Sequence, residues 1–178
     1  MDLIHFDQGY SEKRWVGYFD LLGMKDLVRT KHHLSVFTTY SIAMEQVKQR
    51  QAVSSFAELD HISRWFLYFL IESHIPARGA ISFGEFYADK KNSLYFGKAL
   101  IEAYEYGESQ DWIGFVLCPS AETKLNKMGF FTGRMLTYAH TNIPYNKRRD
   151  ELKGNLPACI LGCWARIAGK NPSLERLH

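Results

Sequence analysis

The chain has 178 residues, 46% of them hydrophobic and 15% aromatic, with a formal net charge of +3. That length suits one domain with a core of its own and is short for two, so residues 1–178 are read as a single domain. Lysine and arginine are interleaved with aspartate and glutamate, not gathered on one dense basic face, which argues against a nucleic-acid partner.

Residues 15–19 form a short apolar, aromatic run that reads as a buried strand. It runs into Asp20, Leu21, Leu22 and Gly23, a tight turn, and a helix is expected after it, with Leu27, Val28, Leu34, Phe37, Met44 and Val47 at helical spacing. Ser55 and Glu58 fit a capping box for a second helix, whose stripe is Leu59, Ile62, Trp65, Phe66, Phe69 and Leu70. Ile75 and Pro76 end that helix. Residues 78–87 read as a strand entering a hairpin, with turn chemistry at 89–93. A short helix over 98–106 is expected to stop at Gly107. Residues 112–118 form another apolar strand, ended by Pro119, and 156–164 read as a last strand. The stretch 122–142 is assigned no role. This order predicts an α+β fold, with helices packed on one face of a largely antiparallel sheet.

Three cysteines, Cys118, Cys159 and Cys163, suggest no disulfide framework and fit a reducing compartment. The N-terminus lacks the basic and apolar regions of a signal peptide, and no apolar stretch approaches the roughly 20 residues that cross a bilayer. A cytoplasmic protein with no membrane contact is expected.

Asp20 is the leading candidate for chemistry. A carboxylate at the end of a buried strand, followed by a glycine turn and a helix, is placed to bind Mg²⁺. The helix N-terminus, through the amides of Leu21, Leu22 and Gly23, offers N–H groups to a phosphate. Asp in this position also serves as an ordinary helix N-cap. Arg78 could face a phosphate too, although an arginine at a strand start is commonly a solvated rim group.

The run from Phe19 to Gly23 resembles the first metal-binding motif of class III nucleotidyl cyclases. Residues 78–85 resemble the central glycine-rich strand of that family, and 95–103 resemble the strand–helix element after its hairpin. The three similarities fall in the family's order and cover most of the chain. The chain resembles in particular bacterial cyclase-like proteins of the kind that includes the pyrimidine cyclases of anti-phage signalling. The resemblance implies a ferredoxin-like core, a head-to-tail homodimer with nucleotide sites at its interface, and Mg²⁺ or Mn²⁺ held in part by Asp20. It implies a two-metal reaction on a nucleoside triphosphate, one ion activating the 3′-hydroxyl and the other neutralising the departing pyrophosphate.

The chain departs from that family in two places. The second metal aspartate of the family lies on a hairpin between the first two helices, and nothing of that kind stands between Gln51 and Ser55. Either the chain has lost the hairpin or the sequence omits residues between Gln51 and Ala52. Because a core-completing hairpin is hard to delete from a folded sheet, the second is expected. The family's transition-state Asn and Arg fall, by register with Gly97, on Ile101 and Glu105, and its adenine-selecting acid falls on Leu94. None of these can do the family's work, and Glu105 would oppose developing negative charge.

Other residues weigh less. Glu85 and Glu102 read as surface or helix-pairing groups before metal ligands. The cluster at 147–149 solubilises a loop or reaches a triphosphate across an interface. His32 and His33 are adjacent, a poor spacing for one metal, and Cys159 with Cys163 reads as core packing. Three functions stay open: a cyclase, a pyrophosphohydrolase in which water replaces the 3′-hydroxyl, and a non-catalytic nucleotide-binding or dimerisation module.

Overall fold

A computed structural model describes residues 12–23, 55–89, 92–132, 137–146 and 151–160, with isolated positions 25, 29, 38 and 41. Those four positions are helical; the remainder of the expected first helix, the Gln51–Ala52 join, His32 and His33, 147–149 and Cys163 lie outside the described residues.

Among the described residues, strands β1 (Glu12–Leu21), β2 (Ala77–Asp89), β3 (Leu94–Phe96), β4 (Gly114–Leu117), β5 (Tyr138–Asn142) and β6 (Asn155–Cys159) build one sheet. Helices α1 (Phe56–Glu72), α2 (Lys98–Ser109) and α3 (Pro119–Lys127) pack on it. The main path is β1-β2-β4-β6-β5, with β3 hairpinned onto the far end of β2. Among the described strands only the β2–β4 pair is parallel, with α2 in the connection between those strands. The fold is α+β with a mostly antiparallel, mixed sheet. No helix of the described residues is long and apolar enough to cross a membrane.

The start of α1 follows from its sequence. Ser55 Oγ accepts the Glu58 N–H, and the Glu58 carboxylate accepts the Ser55 N–H, each at 3.3 Å. Two of the donors that every helix N-terminus leaves unpaired are thereby satisfied. The expected stripe is half right. Ile62, Phe66 and Leu70 are buried and Leu59, Trp65 and Phe69 partly so, but the fully buried set also contains Leu67 and Arg64.

The expectation that the helices share one face is corrected. Side chains alternate across a strand, so neighbours serve opposite cores. Ile81, Phe115 and Leu117 join α1 and α3 in one cluster. Their neighbours Ala80 and Val116 face the other way, toward Tyr106 of α2. Val16, Ala99 and Ala103 extend that second face. The small side chains of β2 on this side, Ala80, Ser82 and Gly84, leave room for α2 to lie close.

Gly107 does not end α2, which continues to Ser109. Its bare Cα lets the helix approach β1: a Cβ there would lie 2.5 Å from the Tyr18 ring. Gly97, the N-cap of α2, has φ +144, and a Cβ on it would collide with the Glu85 carbonyl and lie 2.8 Å from Phe86 Cα. Gly97→Ala is therefore expected to lower stability by roughly 1–3 kcal/mol, through overpacking against backbone that cannot yield. An unchanged urea midpoint would show that β2 and α2 leave room for a methyl group between them.

Candidate functional site

Asp20 stands one residue from the end of β1, directly opposite Arg78 of β2. Both Nε and Nη2 of Arg78 donate to the same carboxylate oxygen, Oδ2, at 3.0 and 2.9 Å. Oδ1 has no partner among the described residues, and a third of the side chain is exposed (33%), against 16% for Arg78. The two residues singled out separately in the sequence thus form one ion pair at the mouth of the strand.

The guanidinium is tied down on its other side. Arg78 Nη1 donates to the Gln110 carbonyl at 2.5 Å, the residue that closes α2. A cation there also suits the negative end of the helix dipole. Gln110 is itself fully buried. Its Nε2 donates to the carbonyls of Gly79 and Tyr106 at 2.8 and 2.9 Å, and Trp112 Nε1 donates to its Oε1 at 2.5 Å. Sequence reading missed Gln110 and Trp112. Each is unremarkable alone, and only the parallel β2–β4 pairing brings them beside Arg78. Tyr18, on the same side of β1 as Asp20, has its hydroxyl pKa raised by burial first, then by the charges of Asp20 and Glu108, with Arg78 opposing.

The turn after Asp20 only partly meets expectation. Gly23 takes a left-handed conformation, φ +63, and is exposed. Leu21 closes the β1–β2 ladder opposite Ala77. The Leu22 N–H donates to the Pro76 carbonyl at 2.8 Å, so that amide seals the end of the sheet and is not open to a phosphate.

The residues set aside in the sequence have local explanations. Glu102 reaches across to the start of α3. It accepts the Ser120 N–H at 3.2 Å and the Ser120 hydroxyl, so it caps α3, a favourable place for a carboxylate. Glu85 pairs with Lys98 at 3.1 Å on the surface. Ile101 is 58% exposed on α2, and Leu94 is exposed on β3. Cys159 packs against the α1 core, as expected, and Cys118 is buried.

No group of three or more His, Cys, Asp or Glu side chains gathers as a metal site among the described residues. Mg²⁺ does not require one, since it is commonly held through one or two carboxylates together with substrate phosphates and water. The open Oδ1 of Asp20 fits that minimal demand.

The stretch left without a role contains a second charged cluster. Glu122 of α3 receives His140 of β5 at 2.8 Å and Lys153 at 2.7 Å. Burial alone would push its carboxyl up, but these two hydrogen bonds and charges outweigh it and hold the pKa below the ordinary value. A depressed folded pKa gives stability that is present above the unfolded value, about 4.3, and is lost as pH falls through the folded one. The thermal midpoint is therefore expected to fall more steeply below that pH in the native protein than in Glu122→Gln. Equal slopes would show that the cluster adds nothing.

No family model matches the chain, and no curated protein matches it.

Proposed function

We propose that this chain is a nucleotidyl cyclase-like domain with a ferredoxin-like core, which grips a nucleoside triphosphate through Mg²⁺ or Mn²⁺ at Asp20. One observation carries the reading: a carboxylate at the mouth of a core strand keeps one oxygen open to solvent while an arginine fixes the other. The α+β order, with its hairpin and parallel crossover, supports it, as does the left-handed Gly23 immediately beyond the site.

The bound ion would supply positive charge to the triphosphate. Asp20 would hold the ion, and Arg78 would stand beside it as a charged donor to the phosphates. In the reaction the 3′-hydroxyl oxygen bonds to the α-phosphorus, the bond to the β-phosphate oxygen breaks, pyrophosphate leaves and the hydroxyl proton passes to solvent. A homodimer in a cytoplasmic setting completes the proposal. The exposed Leu94, Tyr95 and Phe96 of β3 and Ile101 and Tyr104 of α2 supply apolar surface for such a contact.

A second reading, nucleotide binding without turnover, is favoured by the Asp20–Arg78 pair itself and by Ile101 and Glu105 at the positions where the family carries Asn and Arg. Incubating the protein with each of the four nucleoside triphosphates and Mg²⁺ or Mn²⁺, then separating the products, decides between them. A cyclic nucleotide is the expected product. A linear monophosphate would make the chain a pyrophosphohydrolase, and no turnover with any triphosphate would leave the binding module.

A further inference from the structure

We propose that Arg78 is an exchangeable counter-ion that locks Asp20 against a free divalent cation and opens to a phosphate when the cation arrives with one. This rests on the nucleotide reading of Asp20 and adds a regulation of that site. Arg78 spends two donors, Nε and Nη2, on the single oxygen Oδ2, in a pair that is mostly shielded from water. A bare dication must displace that guanidinium or sit beside it, and repulsion between like charges opposes both. The third nitrogen decides where the displaced group goes. Nη1 is anchored to the Gln110 carbonyl, and Gln110 is held by Gly79, Tyr106 and Trp112. When the carboxylate turns to a cation, the guanidinium therefore stays at the site with its Nε–Nη2 edge exposed. That edge is the one that matches two phosphate oxygens at once. The site consequently resists the metal alone and accepts the metal with its triphosphate.

The test compares native protein, Arg78→Gln, Arg78→Lys and Asp20→Asn, each checked for folding by thermal melting. Isothermal titration is run with Mn²⁺ alone and with a preformed Mn²⁺–tripolyphosphate complex, a probe that carries no base. Arg78→Gln is expected to bind Mn²⁺ alone about tenfold more tightly, with one repulsive charge relieved, and the complex at least about tenfold more weakly, with the two-donor charged edge removed. Arg78→Lys, which keeps the charge without the fork, is expected to stay weak for Mn²⁺ alone and to bind the complex more weakly than the native protein. It carries the test if Arg78→Gln does not fold. Unchanged or weaker Mn²⁺ binding by Arg78→Gln, with binding lost in Asp20→Asn, would overturn the lock and leave the Asp20 reading standing. Native binding retained by Asp20→Asn would overturn that reading and the lock with it.

Discussion

Asp60→Ala is expected to destabilise the protein by about 3–5 kcal/mol, the cost of leaving a buried charge without its partner. The charge in question is Arg64, a helical residue with 1% of its side chain exposed. Its Nε donates to Asp60 Oδ1 at 2.8 Å, and its Nη1 reaches the Thr137 carbonyl at 3.1 Å and Cys159 Sγ at 3.0 Å. The guanidinium lies over the Tyr138 ring, 4.4 Å from its centre. Burial alone would lower its pKa, but Tyr138, Cys159 and Asp60 outweigh that and raise it, so the group stays charged. Tyr138 donates its hydroxyl to the same Asp60 oxygen at 2.6 Å. The Cys159 thiol, pushed up to about 12 by burial with Arg64 opposing, is no substitute anion. Asp60 is thus the one carboxylate this cation has among the described residues. Urea unfolding of the native protein and the variant measures the difference, and a loss under about 1 kcal/mol would place the pair among weak surface bridges instead.

Asp20→Ala carries the largest expected effect on activity. With the ion's carboxylate removed, turnover should fall by at least about a thousandfold, the scale of several kcal/mol of lost charge stabilisation. The fold should survive, because Asp20 is partly exposed and β1 keeps its full ladder with β2. The variant also leaves Arg78 without its carboxylate, so its thermal midpoint must be measured beside its activity. A well-folded variant that still turns over would remove Asp20 from the chemistry.

The elements that were legible in the sequence are those whose signal is local. The Ser55–Glu58 box lies within one turn, the hairpin announces itself at 89–93, and the apolar run over 112–118 contains β4. Arg64 was invisible to a search for apolar stripes: Asp60 stands one turn before it on the same helix, but the Thr137 carbonyl and Cys159 sulfur that complete its surroundings lie 73 and 95 residues away. β5 carries His140, Thr141 and Asn142, a polar run with no apolar alternation to announce it, and it owes its state to pairing with β6. Gly107 read as a stop signal, whereas its purpose is to admit the Tyr18 ring. Asp20 and Arg78 were each found from local pattern, but their pairing depends on the β1–β2 register and could not be.

The proposed chemistry depends above all on a divalent cation seating at Asp20. Mn²⁺ broadens amide resonances near its binding site, so titrating labelled protein with Mn²⁺ and tripolyphosphate locates the ion directly. Broadening centred on residues 18–23 and 77–79, and lost in Asp20→Asn, is the predicted result. Broadening centred elsewhere, or unchanged in that variant, would contradict it.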